Sequence, residues 1–195
     1  VVIDRLANAP AEHRDPQPGA RASAVLAVLH DGDIGTEVLI TKRSMHLSSH
    51  RGELSFPGGR LDLGETFEEA ALREAHEEVG LAAGQVQVIG RLDALSTFVS
   101  NSFIVPVVAH AEQRPAVAPA SSEVDGVLWV PLRVLAEADR YREEWWMRPP
   151  VERPIFFFEL DGETLWGATA RMIHQILRIV HDVDTPPPPS WDDPR

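Results

Sequence analysis

The stretch that decides the fold runs from Gly59 to Leu81 and reads GRLDLGETFEEAALREAHEEVGL. Its second half has the marks of a helix from Thr66 to Val79. Thr66 followed three residues later by Glu69 forms a capping box, in which each side chain satisfies a backbone donor left open at the helix start. Gly80 supplies the stop, because glycine enters the left-handed conformation without a Cβ clash. At about 100° per residue, Glu74, Glu77 and Glu78 fall within an arc of about 100°. Ala70 lies inside that arc and is small. Ala71, Leu72, Ala75 and Val79 make a neighbouring apolar face, so the carboxylates run along the edge of the buried side.

Three like charges at this spacing destabilise a helix unless something neutralises them. Taken alone, they fit a solvated acidic face better than a metal site. A hard divalent cation is the natural neutralising partner, since Mg²⁺ takes carboxylate oxygens together with waters and substrate phosphates. Arg73 precedes the cluster and can fork onto a carboxylate, with Glu65 at the loop-to-helix junction as its candidate partner. Immediately upstream, Phe56-Pro57-Gly58-Gly59 carries paired glycines, which let backbone approach a ligand closely.

Gly59, Glu65, Arg73, Glu74, Glu77, Glu78 and Gly80 fit the Nudix box, G-x5-E-x7-R-E-U-x-E-E-x-G-U, at every fixed position, with Ala75 and Leu81 at the apolar ones. A chance match is on the order of 10⁻⁷ per chain at average residue usage. The chain therefore resembles the Nudix hydrolases, which cleave a nucleoside diphosphate linked to another moiety. The resemblance implies an α/β fold, an α/β/α sandwich with a mixed β-sheet. It implies Mg²⁺ or Mn²⁺ held by Glu74, Glu78 and Glu77, with the carbonyl of Gly58 assisting. Glu74, Glu77, Arg73 and Glu65 make up the implied catalytic set, in which Arg73 and Glu65 orient the cluster. The general base varies in the family. Glu123, in Ser121-Ser122-Glu123, is one candidate; an exposed loop acid is the plainer account of it.

The segment upstream of the box bears on the substrate. Leu39-Ile40-Thr41-Lys42-Arg43-Ser44, then Gly52 and Phe56 to Gly59, is similar to the signature of the coenzyme A diphosphatases, L-L-T-x-R-[SA]-x3-R-x3-G-x3-F-P-G-G. Ser48 stands where that pattern has Arg, with His50 and Arg51 nearby. Trp166-Gly167-Ala168-Thr169-Ala170-Arg171 resembles the run opening the last helix of that subgroup. Coenzyme A carries a 3′-phosphate beyond its diphosphate, so its recognition requires extra positive charge. Lys42, Arg43, His50 and Arg51 place four potential cations within ten residues and are the candidate substrate-binding residues. The implied reaction gives 3′,5′-ADP and 4′-phosphopantetheine. ADP-ribose or NADH hydrolysis is the alternative. A ligand-sensing module without catalysis is a further one, although such modules lose box glutamates and this chain keeps all of them.

Outward from these motifs, apolar runs predict strands at Ala22–Leu29, Glu37–Lys42, Val86–Leu92, Phe103–Ala109, Gly126–Val130 and Pro154–Leu160. The turn His30–Gly35 makes a hairpin of the first two. A short helix is expected after Pro131, over Leu132 to Ala138. A longer one is expected from Thr169 to His181, packing on Met172, Ile173, Ile176, Leu177 and Val180. His174 and His181 are expected to be satisfied or exposed, and Trp145-Trp146-Met147 to pack under a loop rather than stack on a base. Ser96 to Ser102 fits a polar loop or a ligand-lining segment equally.

The 195 residues suit one domain. The organisation reads as an N-terminal extension over 1–19, partly ordered; a hydrolase domain over 20–183; and a Pro-rich, disordered tail over 184–195. Net charge is −12, which gives no basic field for nucleic acid; solubility alone also explains that charge. No apolar run is long enough to span a bilayer, and the polar, Pro-rich N-terminus is unlike a signal peptide. The chain contains no cysteine. These features point to a cytoplasmic protein without nucleic acid or membrane; the resemblance implies a small-nucleotide partner of the coenzyme A class, taken by a monomer or homodimer.

Overall fold

The computed structural model describes residues 1–11, 16, 19–97, 101–148 and 151–181. In chain order the elements are α1 (Val2–Ala7), β1 (Arg21–Gly32), β2 (Gly35–Arg43), β3 (Leu54–Ser55), β4 (Gly58–Arg60), α2 (Phe67–Val79), β5 (Gln87–Arg91), β6 (Leu95–Thr97), β7 (Ser102–Ala111) and β8 (Val124–Pro131). They continue with α3 (Leu132–Leu135), β9 (Tyr141–Arg148), β10 (Val151–Leu160), β11 (Glu163–Trp166) and α4 (Gly167–His181).

β1 is the axis of a mixed sheet. It runs antiparallel to β2 and β4 and parallel to β7. β8 and β3 pair with β2, while β5 and β6 pair with β7. Strand alternation divides the core into two layers. Ala24, Leu26 and Val28 of β1 and Leu39 of β2 pack with Ala70, Ala71, Ala75 and Val79 of α2. Ala27, Leu29, Val38 and Ile40 face the other way, onto Met172, Ile173 and Ile176 of α4 and Phe156 and Phe158 of β10. The result is the expected α/β class with a mixed sheet between helices.

Several elements differ from the sequence reading. The run around Pro154 does not join the main sheet. β10 pairs with β9 and β11 in a separate three-stranded antiparallel sheet. β9 went unpredicted because charged residues interrupt its apolar alternation; Tyr141 anchors it against Phe156 and Phe158. Trp145 and Trp146 lie on this strand and are 43% and 47% exposed, so they are not packed beneath a loop. Trp146 instead lies against Phe157 and Trp166 on the outer face. His174 is neither exposed nor satisfied. Its ring stacks on Phe156 at 4.4 Å and its buried Nδ1 has no partner among the described residues.

Within the N-terminal stretch, Leu6 of α1 is 2% exposed in the α4-side core, and Arg5 Nη1 donates to the carbonyl of Val180 at 3.0 Å. Of the polar segment, Ser96 and Thr97 end β6 and Ser102 begins β7. The rest of that expectation at 98–100 lies outside the described residues, as does the expected tail over 184–195.

Candidate active site

The site is assembled where β4 and α2 meet β1. The strap Phe56 to Gly59 is tied down by Leu26 N–H, which donates to the carbonyl of Pro57 at 2.8 Å, and by pairing of Gly58 and Gly59 with Val25 and Ala24. Backbone packing requires the glycine at 58, while at 59 a side chain would displace the Glu74 carboxylate. A Cβ on Gly58 would lie 2.6 Å from Val25 Cα, and one on Gly59 would lie 2.7 Å from Glu74 Oε2. Backbone approach and carboxylate approach thus occur at adjacent residues.

α2 begins as its sequence requires. Thr66 N–H donates to Glu69 Oε2 at 2.8 Å and Glu69 N–H donates to Thr66 Oγ1 at 3.2 Å. It ends at Gly80, which is left-handed with φ 73°. Between these caps, Arg73 organises the acidic edge. Its Nε and Nη2 fork onto Glu65 at 2.8 and 3.1 Å, and Nη2 also donates to the carbonyl of Arg60 at 2.9 Å. Its Nη1 reaches Glu74 Oε1 at 3.0 Å and Glu77 Oε2 at 3.4 Å. Glu65 Oε2 accepts a further bond from Asp62 N–H at 2.8 Å. The guanidinium therefore pins the 60–65 loop to the helix while spacing two carboxylates.

The electrostatics differ along the edge. The Arg73 guanidinium holds the Glu65 carboxyl below its ordinary range. Burial pushes Glu74 upward against the opposing pull of Arg73. Glu78 is 6% exposed, and burial raises its pKa to about 7, although Gly58 N–H donates to Oε2 at 3.3 Å and the charge of Arg43 acts in the opposite direction. The charge of Glu123 raises both Glu74 and Glu78, which sets it near the pair. Glu77 is the exposed member, at 56% of its side chain.

Glu123 arrives on a loop clasped to the end of α2. Ala120 N–H donates to the carbonyl of Glu78 at 2.9 Å and Ala118 N–H to that of Val79 at 3.2 Å. The Glu123 carbonyl accepts from Ser44 N–H at 2.8 Å, which joins the end of β2 to this loop.

The four cations before the box do not form one cluster. Alternation along β2 sends Lys42 to the side of Val38 and Ile40, and Arg43 to the side of Leu39 and α2. Lys42 Nζ is ion-paired with Glu163 of β11. His50 Nδ1 lies 2.9 Å from Glu53 Oε2. Arg51 is exposed, and its Nε donates to the carbonyl of Leu47. Glu163 is 121 residues from Lys42, so no local signal in the sequence announced this pair. The same holds for the Arg60 carbonyl, a backbone group that any residue supplies.

Among the described residues, no three acidic or histidine side chains stand close enough to enclose an ion as placed. The residues nevertheless fit a hard cation in chemistry. Glu74 and Glu78 are carboxylates one turn apart, both raised by burial, with Glu74 lying against Gly59 and Glu78 accepting from Gly58 N–H, the oxygen-rich donor set a hard cation takes. A concavity of about 320 Å³ lies elsewhere, at the far end of the β1–β2 hairpin, lined by His30, Asp31, Asp33, Glu37 and Arg114; it includes none of these glutamates.

Residues 20–153 match the model of the NUDIX domain. The chain is 32% identical over 176 residues to Nudix hydrolase 3 of Caenorhabditis elegans, covering 82% of this chain and 73% of that protein. It is 30% identical over 179 residues to NudL of Yersinia enterocolitica, described as an uncharacterized Nudix hydrolase, covering 86% and 88%. Among solved structures it resembles RenU, a Nudix hydrolase from M. smegmatis, with a TM-score of 0.52 and 28% identity, over 60% of this chain and 73% of that one.

Proposed function

The chain belongs to the Nudix hydrolase family, enzymes that act on diphosphate bonds, and on that premise we propose that it hydrolyses the diphosphate of coenzyme A or its derivatives, giving 3′,5′-ADP and 4′-phosphopantetheine. The observation that carries the reading is the end of β2. The segment similar to the coenzyme A diphosphatase signature leads from Arg43 and Ser44 into the strap that floors the Glu74–Glu78 edge.

Nudix hydrolases generally need a divalent cation such as Mg²⁺ or Mn²⁺. In our reading Glu74 and Glu78 hold it, with Glu77 and the Gly58 carbonyl in support. When bound, the cation neutralises phosphoryl oxygens and lowers the pKa of water. The chain's own residues do the rest. Arg73, forked on Glu65, holds Glu74 and Glu77 in place. The burial that raises Glu74 and Glu78 also keeps bulk water from screening charge developed on the phosphoryl oxygens. Glu123, near both, takes the proton of the attacking water. Arg51, exposed three positions beyond Ser48, is the candidate for the 3′-phosphate in place of the signature arginine. The chain acts in the cytoplasm as a monomer or homodimer, and residues 20–183 are the catalytic domain.

The test is product analysis. Purified protein is incubated with coenzyme A, ADP-ribose and NADH in parallel, with Mg²⁺ or Mn²⁺ and with EDTA. EDTA-sensitive release of 3′,5′-ADP from coenzyme A, in preference to cleavage of the others, is the expected result. Preferred cleavage of ADP-ribose or NADH would discard the coenzyme A assignment and mark Ser48 as the sign of a different pocket.

A further inference from the structure

Arg43 stands apart from the other cations of its segment. Its Nε is buried and has no hydrogen-bond partner among the described residues. Buried donors are nearly always satisfied, and an exception in a site is a place where a ligand completes the set. The backbone that carries it is fixed on both sides. Arg43 N–H donates to the carbonyl of Glu53 at 2.9 Å, Gly52 N–H donates to the carbonyl of Arg43 at 3.1 Å, and Ser44 N–H donates to that of Glu123 at 2.8 Å. The irregularity in the pairing of β2 with β8 skips Asp125 of β8, so the alternation of β2 itself is unbroken and Arg43 faces α2. There its charge is felt by Glu78. Lys42 faces the opposite layer, onto Glu163, and His50 is held by Glu53.

We propose that Arg43 binds the scissile diphosphate itself, as a fixed anion clamp beside Glu74 and Glu78, rather than the 3′-phosphate that distinguishes coenzyme A. This rests on the reading of the site as a diphosphatase centre and names the part of the substrate that Arg43 contacts. A diphosphate entering an edge of glutamates needs positive charge on the protein side. A guanidinium supplies it with a planar fork that matches two phosphoryl oxygens. The unfilled Nε donor is then completed by substrate. Because every substrate of such a centre carries the diphosphate, Arg43 contributes alike to all of them and does not select among them.

The experiment compares coenzyme A with 3′-dephospho-coenzyme A, which differ only in the 3′-phosphate. Arg43→Ala is expected to lower kcat/KM on both by about 10²-fold or more, as loss of one preorganised donor does. The ratio of the two losses should stay within about threefold of unity. Arg43→Lys, which keeps the charge without the fork, should recover part of the loss on both. A loss confined to coenzyme A overturns the proposal, and so does no loss on either. Calorimetric titration with methylenediphosphonate and Mg²⁺ gives a readout independent of turnover. Arg43→Ala should bind it at least about tenfold more weakly, and equal affinity in wild type and variant overturns the clamp. If wild type cleaves neither nucleotide, the coenzyme A reading fails while the titration still decides on Arg43. Thermal melts of both variants exclude misfolding as the cause.

Discussion

Gly59 has no Cβ, and the carboxylate of Glu74 occupies the space one would fill, with Oε2 2.7 Å from its ideal position. The first glycine of the box is therefore a fixed clearance for the helix carboxylate one layer above it. The contact is between a strand residue and a side chain fifteen positions later, brought together by the pairing of β4 with β1 and the packing of α2 on the same sheet.

From this clearance, Gly59→Ala should push Glu74 off its place beside Arg73. Turnover should fall by at least about tenfold, since misplacement of a site group by about 1 Å can cost 10²-fold. Far-ultraviolet circular dichroism should stay close to wild type. Undiminished kcat in Gly59→Ala would show that Glu74 has freedom the packing denies it.

Arg73→Lys should be nearly as damaging as Arg73→Ala. The ammonium is a point charge and cannot keep the fork on Glu65, the bond to the Arg60 carbonyl and the contacts to Glu74 and Glu77 together. The loss should appear mainly in kcat, because Arg73 acts through the carboxylates it positions. Wild-type kcat in Arg73→Lys would rule out the fork as the organising contact.

Glu78→Gln should abolish metal-dependent turnover and leave the fold intact, because it removes a buried charge and keeps the volume. Binding of Mn²⁺, followed by electron paramagnetic resonance, should weaken in parallel. Retained metal binding with lost turnover would move Glu78 from ligand to another role.

Glu123→Gln tests the general base. The loop remains clasped through the backbone bonds of Ala118, Ala120 and Ser44, so geometry is preserved. A base contributes about 10²–10⁴-fold, so kcat should fall in that range. A kcat reduced less than about tenfold would leave Glu123 as an exposed loop acid.

His174 should give stability a pH dependence unrelated to catalysis. Burial, with Arg178 and Arg171 adding to it, lowers its pKa to about 4, from an ordinary value near 6.5. Between those values the unfolded chain binds the proton and the folded protein does not. Stability is therefore lost as pH falls from about 6.5 to about 4, by an amount on the order of 3 kcal/mol at full shift. His174→Leu should flatten the thermal-melt profile across that window. An unchanged slope would place the titration in other groups.

The sequence by itself determined the helix of the box, its caps, its acidic edge and the strap of paired glycines. These are local matters: capping, three-four spacing and backbone freedom act within a turn or two. The sequence also carried β1, β2, β5, β7 and β8 of the main sheet, whose apolar runs are strong, but not β3, β4 and β6, which are two or three residues long and too short to show a period. Only the tertiary structure decided which cations share a face. Lys42 and Arg43 are adjacent in sequence yet lie on opposite sides of the sheet, because strand alternation separates neighbours and distant partners such as Glu163 claim one of them. It likewise decided that β9, β10 and β11 form their own sheet, since pairing between strands is settled by long-range packing on Phe156, Phe158 and α4. It also decided that Glu123 comes near Glu74 and Glu78, through backbone bonds at Ala118 and Ala120 that leave no trace in side-chain pattern.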